Sequence, residues 1–229
     1  PITIEYNVMY DCCLEGSDKG FIYNGASWFQ VDGVIRYNLF YSTKGSGGMF
    51  IYLDDGLSNQ EVYGNLFYNV SHPLVQNGGR DNKFYDNVTI YSGIATDGCG
   101  WDNYILDGTA ETVDVTTYGI YQNKPQPGDP MYEEWYARWP ELYNFSTDPA
   151  QYTDPNCIFN PGSYFADNAS IGDPLFNKDS EIIKFNSGGN NVDYTDEVNP
   201  LFVNPSIGDY RIRDDAHFFK IPFEQMGRY

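Results

Sequence analysis

The chain has 229 residues, with 13 Lys plus Arg against 32 Asp plus Glu, a formal charge of −19. That balance argues against nucleic acid and anionic membrane as partners, since both require a basic surface. With 17% aromatic residues the sequence is expected to fold rather than stay disordered.

No run of about 18 apolar residues exists, so no membrane span is expected. The chain opens at Pro1 directly in strand-like sequence, Ile2-Thr3-Ile4-Glu5-Tyr6, which reads as a mature product or a fragment. Asparagines then recur at one position of a repeated strand pattern, at Asn7, Asn38, Asn65 and Asn87, stepping by 31, 27 and 22 residues. A second strand repeats alongside, in Phe21-Ile22-Tyr23, Phe50-Ile51-Tyr52, Leu74-Val75-Gln76 and Ile94-Ala95-Thr96. Short strands, Gly/Asn/Asp turns and an Asn at one corner describe a unit that must stack on its neighbours to bury its inner face. The expected fold is all-β, a right-handed parallel β-helix, over 1–98. An antiparallel sandwich would show regular Asn-Gly hairpin signals, which are sparse here.

After Gly98 the pattern changes. Asp129-Pro130-Met131 reads as the start of a helix, with Asp as cap, that runs to Trp139-Pro140. Residues 143–172 read as irregular, so 99–172 is expected to be an insertion packed on the β-helix. Residues 173–229 are expected to hold the last coils and a C-terminal cap, with the apolar stretch Phe218–Phe223 covering the open bottom.

Four Asn-x-Ser/Thr sequons, at Asn69, Asn87, Asn144 and Asn168, suit a secreted, extracellular glycoprotein. Four cysteines, Cys12, Cys13, Cys99 and Cys157, allow three disulfide pairings. Acidity leaves Ca²⁺ open as a ligand, but no cofactor and no metal site is expected: His72 and His217 stand too far apart to suggest a histidine-based zinc site.

No nucleophile elbow, P-loop or dinucleotide fingerprint occurs. Acidic residues instead recur beside the repeated strands. Asp18 precedes Phe21–Tyr23, Asp54 and Asp55 follow Phe50–Leu53, and Asp97 follows a later strand. Stacked strands would bring such groups to about 5 Å or 10 Å. Glycoside hydrolysis needs two carboxyl groups about 5–5.5 Å or 6.5–9.5 Å apart. Asp residues capping turns or binding Ca²⁺ give the same pattern. Trp28, Trp101, Trp135, Trp139 and Tyr52 offer ring faces for sugar packing.

Glu15-Gly16-Ser17-Asp18-Lys19-Gly20-Phe21-Ile22-Tyr23-Asn24-Gly25 with Trp28, Ile51-Tyr52-Leu53-Asp54-Asp55-Gly56, Asn77-Gly78-Gly79-Arg80-Asp81-Asn82 and the tail from Gly208 resemble bacterial β-helix proteins of the pectin-lyase-like superfamily. They are similar in particular to the C-terminal portion of glycoside hydrolase family 141. The resemblance implies a carbohydrate-active flank with paired aspartates, Asp18 and Asp55 or Asp54, acting on a polysaccharide. Trp28, Tyr52, Arg80 and Asp97 are expected to contact it. Ala26-Ser27 and Phe50 stand where relatives often carry Arg-Asp and His. Their loss, with the sequons, supports the alternative of a non-catalytic extracellular structural glycoprotein or filament subunit. The edge of the first coil should be covered by a missing segment or another chain. A polysaccharide lyase using Lys44 and Arg80 is a third expectation, opposed by the −19 charge.

Overall fold

The computed structural model describes residues 2–16, 18–25, 30–43, 49–54, 57–76, 81–92, 125–140, 163–172, 190–194, 202–204, 207, 209–212, 222 and 225–227. It is mostly parallel β-sheet, with one helix among the described residues. No helix among them is long and apolar enough to cross a membrane.

The chain visits three parallel sheets in rotation. The first sheet holds β1 (Ile2–Glu5), β4 (Gly33–Arg36), β7 (Gln60–Tyr63), β10 (Lys83–Tyr85) and β12 (Tyr164–Ala166). The second holds β2 (Val8–Tyr10), β5 (Leu39–Tyr41), β8 (Leu66–Tyr68), β11 (Val88–Ile90), β13 (Ala169–Ile171) and β14 (Val192–Tyr194). The third holds β3 (Gly20–Gly25), β6 (Met49–Asp54) and β9 (His72–Gln76). Parallel neighbours need a crossover between them. Here the other two sheets provide it.

Register places like on like. Ile4, Ile35, Val62, Phe84 and Phe165 form one column across the first sheet. Phe40 stacks on Phe67 at 4.9 Å and 10° in the second. These side chains share one core cluster with Phe50, Ile51, Leu53 and Leu74 of the third sheet. Full burial of each phenylalanine stabilises by about 1.5–3 kcal/mol.

The corner between the first and second sheets is held by asparagines. Asn38 donates from its backbone N–H and from Nδ2 to Asn65 Oδ1, each at 3.0 Å. Asn65 does the same to Asn87, and Asn87 to Asn168. The ladder runs from Asn7 to Asn191. The remaining Nδ2 hydrogen bonds go to strand carbonyls, as from Asn65 to Ile35 O and Tyr63 O. Each ladder Asn follows a residue with left-handed backbone: Tyr6, Tyr37, Gly64, Asp86, Asp167 and Asn190. At Gly64 a Cβ would stand 2.7 Å from the Tyr37 ring, so space favours glycine there, while the other rungs hold the same left-handed backbone with larger residues.

Several expectations are corrected here. Asp167-Asn168 repeats Asp86-Asn87, and 164–166 and 169–171 are strands rather than irregular chain. The helix α1 (Tyr132–Arg138) has no side-chain cap, because Asp129 Oδ2 instead accepts the Gln126 backbone N–H. Tyr136 of α1 packs on Val31, while Arg138 and Trp139 Nε1 both reach Asp32. Near the C-terminus, Met226 shares a core cluster with Leu39, Leu66 and Val88 of the second sheet. The adjacent Gly227 N–H donates to Tyr6 O at 2.8 Å. β15 (Phe202–Asn204) and β16 (Asp209–Ile212) form a separate antiparallel pair. Segment 218–221, the rest of the expected cap, and the strand expected at 94–96 lie outside the described residues.

Candidate functional site

The third sheet carries the site. Its outward face at β6 presents Tyr52 and Asp54, two residues apart and therefore on the same side of the strand. Asp54 is only 6% exposed, an unusual position for a carboxylate unless donors surround it. The Tyr23 hydroxyl, brought alongside by the pairing of Tyr23 with Tyr52, donates to Asp54 Oδ2 at 2.8 Å. The two tyrosine rings meet edge to face at 5.2 Å.

Tyr52 lies near two carboxylates. Burial first, then the nearby Asp54 carboxylate, then Asp18, hold the Tyr52 phenol far above its ordinary value. It therefore remains a protonated donor at any working pH. Asp18 itself is exposed, on the segment leading into β3.

Register corrects one premise of the sequence reading. Asp18 and Asp54 are not at equivalent points of paired strands: the partner of Asp54 is Gly25, at the far end of β3 from Asp18. A Cβ on Gly20 would stand 2.8 Å from Tyr52 Cβ, so the glycine leaves room for that side chain.

Of the residues expected to act, Tyr52 and Asp54 lie on β6, and Asp18, before β3, is near enough to Tyr52 to raise its phenol. Asp55, Trp28, Arg80, Asp97, Lys44 and Trp101 lie outside the described residues. Trp135 and Trp139 pack around Tyr136 and Val31 at the docking point of α1 rather than standing as sugar platforms. Tyr23 was not expected. Its signal was the 29-residue offset between the Phe-Ile-Tyr repeats, which sets Tyr23 beside Tyr52.

Two sequons are closed in the folded chain. Asn87 and Asn168 are buried, and the Nδ2 atoms that a glycan would occupy are committed to the ladder and to Val62 O, Tyr85 O and Phe84 O. Asn69 is exposed, with Nδ2 donating to Ser42 O at 2.9 Å. Asn144 lies outside the described residues. Cys12 and Cys13 are free thiols, not disulfide partners, and Cys99 and Cys157 are outside the described residues. Among the described residues no group of three or more His, Cys, Asp or Glu is arranged to hold a metal.

Comparison with protein families, with curated proteins and with solved structures gives no match to the chain.

Proposed function

We propose that the chain is a right-handed parallel β-helix that hydrolyses glycosidic bonds of an extracellular polysaccharide, with Asp18 and Asp54 as the acting carboxyl groups. The three-sheet rotation and the asparagine ladder support the fold. The observation that carries the activity is the nearly buried Asp54 carboxylate held by the Tyr23 hydroxyl at 2.8 Å, beside a Tyr52 phenol that feels both Asp54 and Asp18.

In the retaining mechanism two carboxyl groups about 5–5.5 Å apart divide the work, one attacking the anomeric carbon and the other transferring the proton. Asp54 is buried and accepts from the Tyr23 hydroxyl, while Asp18 is exposed. The arrangement therefore supports Asp54 as the nucleophile and exposed Asp18 as the group that protonates the leaving oxygen. Water, deprotonated by Asp18, then releases the sugar from Asp54. Asp55, paired with Asp18 in the sequence reading, lies outside the described residues, so Asp54 takes that role here.

The test is release of reducing sugar from a panel of plant and microbial polysaccharides by the native chain, Asp18→Asn and Asp54→Asn. Activity in the native chain and a loss of about a thousandfold or more in both variants is expected. Full activity in either variant overturns the assignment of that residue.

A further inference from the structure

Two thiols have no part in the chemistry of Asp18 and Asp54. Cys12 and Cys13 are adjacent in the chain and both are free. The Cys12 thiol donates to Tyr10 O, with Sγ at 3.4 Å. Partial burial of that sulfur first, then the charges of Cys13 and Asp11, raise the Cys12 thiol above its ordinary value. It is therefore held as a thiol at neutral pH, close enough to Cys13 to feel its charge.

The segment that carries the pair is fixed on both sides. Before it, the Asp11 carboxylate accepts from Thr43 N at 2.7 Å and from Thr43 Oγ1 at 2.6 Å. The Asp11 N–H donates to Tyr41 O at 3.3 Å. After it, Lys19 Nζ donates to Glu15 O at 3.0 Å. Between these anchors Cys13 and Gly16 are left-handed, and residues 11–16 belong to no strand or helix. A change at 12–13 can thus be absorbed without breaking a sheet.

The spacing of adjacent residues sets what the two thiols can do. Their Cα atoms are about 3.8 Å apart across a trans peptide. A relaxed disulfide spans about 4.4–6.8 Å. A bond between Cys12 and Cys13 is therefore strained and easily reduced, which suits a reversible pair rather than a structural staple.

We propose that Cys12 and Cys13 are a redox pair that closes to a vicinal disulfide when a small-molecule disulfide such as oxidised glutathione is supplied. The thiolate of one cysteine attacks a glutathione sulfur, forming a mixed disulfide and releasing one glutathione thiolate. The neighbouring cysteine, deprotonated in turn, attacks the protein-side sulfur and releases the second. Two electrons pass from the pair to the glutathione disulfide, and the two cysteine protons end on two glutathione thiols. With the second thiol one residue away, the closing step is intramolecular and outruns attack by a second glutathione. Ring closure also takes the Cys12 donor from Tyr10 O. The pair works whether or not the chain hydrolyses glycans, since closure is read on the thiols themselves.

The test treats the full chain with oxidised glutathione, blocks it with N-ethylmaleimide, digests it with trypsin and weighs the peptide ending at Lys19, whose only cysteines are Cys12 and Cys13. Before oxidation this peptide takes two maleimides. After oxidation it takes none and is lighter by two hydrogen atoms than the reduced form, and excess reduced glutathione restores both sites. Cys12→Ser and Cys13→Ser each leave one thiol and stop at a stable glutathione adduct. Two glutathiones on the native peptide, two sites that still take maleimide, or a disulfide from this peptide to Cys99, Cys157 or a second chain overturns the inference. The native peptide decides the question even if a serine variant does not fold.

Discussion

Tyr23 and Asp54 stand 31 residues apart in the chain, and the Tyr23 hydroxyl donates to Asp54 Oδ2 at 2.8 Å. The contact exists because the pairing of β3 with β6 holds one constant offset, so that Tyr23 lies beside Tyr52 and within reach of the carboxylate that follows it. Tyr52, two residues before Asp54 on the same strand, is near enough to Asp54 and Asp18 for both to raise its phenol. The Tyr23 donor helps to make a nearly buried Asp54 tolerable.

Removing either hydroxyl should therefore be felt unequally. Tyr52→Phe takes a hydroxyl from within the fold and is expected to cost about 1–3 kcal/mol of stability. Tyr23→Phe acts at a half-exposed ring and costs less, about 0.5–1.5 kcal/mol. Urea unfolding measures both. Both variants should also lose sugar release relative to the native chain, because the setting of Asp54 is changed. A Tyr52→Phe protein as stable as the native chain would mean that its hydroxyl does nothing for the fold.

The ladder makes a graded prediction. Asn65→Ala strips Asn38 of two acceptor contacts and leaves Ile35 O and Tyr63 O without their side-chain donor, all in the buried interior. With about 1–3 kcal/mol for each buried group left unsatisfied, the loss should exceed about 3 kcal/mol. Asn7→Ala, at the exposed end, should cost under about 1 kcal/mol. Equal losses at the two positions would contradict the ladder as a source of stability.

Asp86 gives a pH test. Burial, and then the neighbouring Asp167 carboxylate, raise the Asp86 carboxyl above the ordinary aspartate range. For a carboxyl raised in the fold, the stabilising contribution is complete below the unfolded value near 3.9. It is lost as pH rises through the higher folded value. Asp86→Asn removes that loss and keeps a residue type that accepts the left-handed backbone found at Asp86. It should stabilise the protein at pH 7 by on the order of 0.5 kcal/mol, with the advantage fading below about pH 4. Thermal melts at pH 3.5 and pH 7 decide it; a variant less stable at pH 7 would be the wrong sign.

Expression in a glycosylating host separates the sequons. Peptide mass spectrometry should find Asn87 and Asn168 unmodified in the folded protein, because their Nδ2 atoms are buried in the ladder. Asn69 is open to modification, since its side chain is exposed. Full glycan occupancy at Asn87 in folded protein would be incompatible with the ladder.

The first four rungs of the ladder were legible in the sequence because the corner imposes a local requirement. A left-handed residue followed by Asn, between two short apolar strands, leaves a pattern that survives uneven spacing. Asn168 escaped notice because the step from Asn87 is 81 residues, too long to read as a period, although Asp167-Asn168-Ala169 keeps the motif. Asp18 and Asp54 were visible as acidic residues beside strands, but their setting was not. Register sets Asp54 opposite Gly25, at the far end of β3 from Asp18, with Tyr52 near enough to feel both carboxylates. A tyrosine in a strand is common enough that neither Tyr23 nor Tyr52 stands out before the pairing is known. The sequons misled for the opposite reason: Asn87 and Asn168 belong to a fold signal that happens to be followed by Val-Thr and Ala-Ser.

The most direct test of the hydrolytic role is chemical rescue on whichever polysaccharide the native chain cleaves, using Asp18→Ala and Asp54→Ala with azide as an external nucleophile. With Asp54 as nucleophile and Asp18 as acid/base, azide restores turnover to Asp18→Ala and gives a glycosyl azide of retained configuration. Rescued Asp54→Ala gives the inverted azide. No cleavage of any glycan by the native chain, or undiminished cleavage by both variants without azide, would contradict the account.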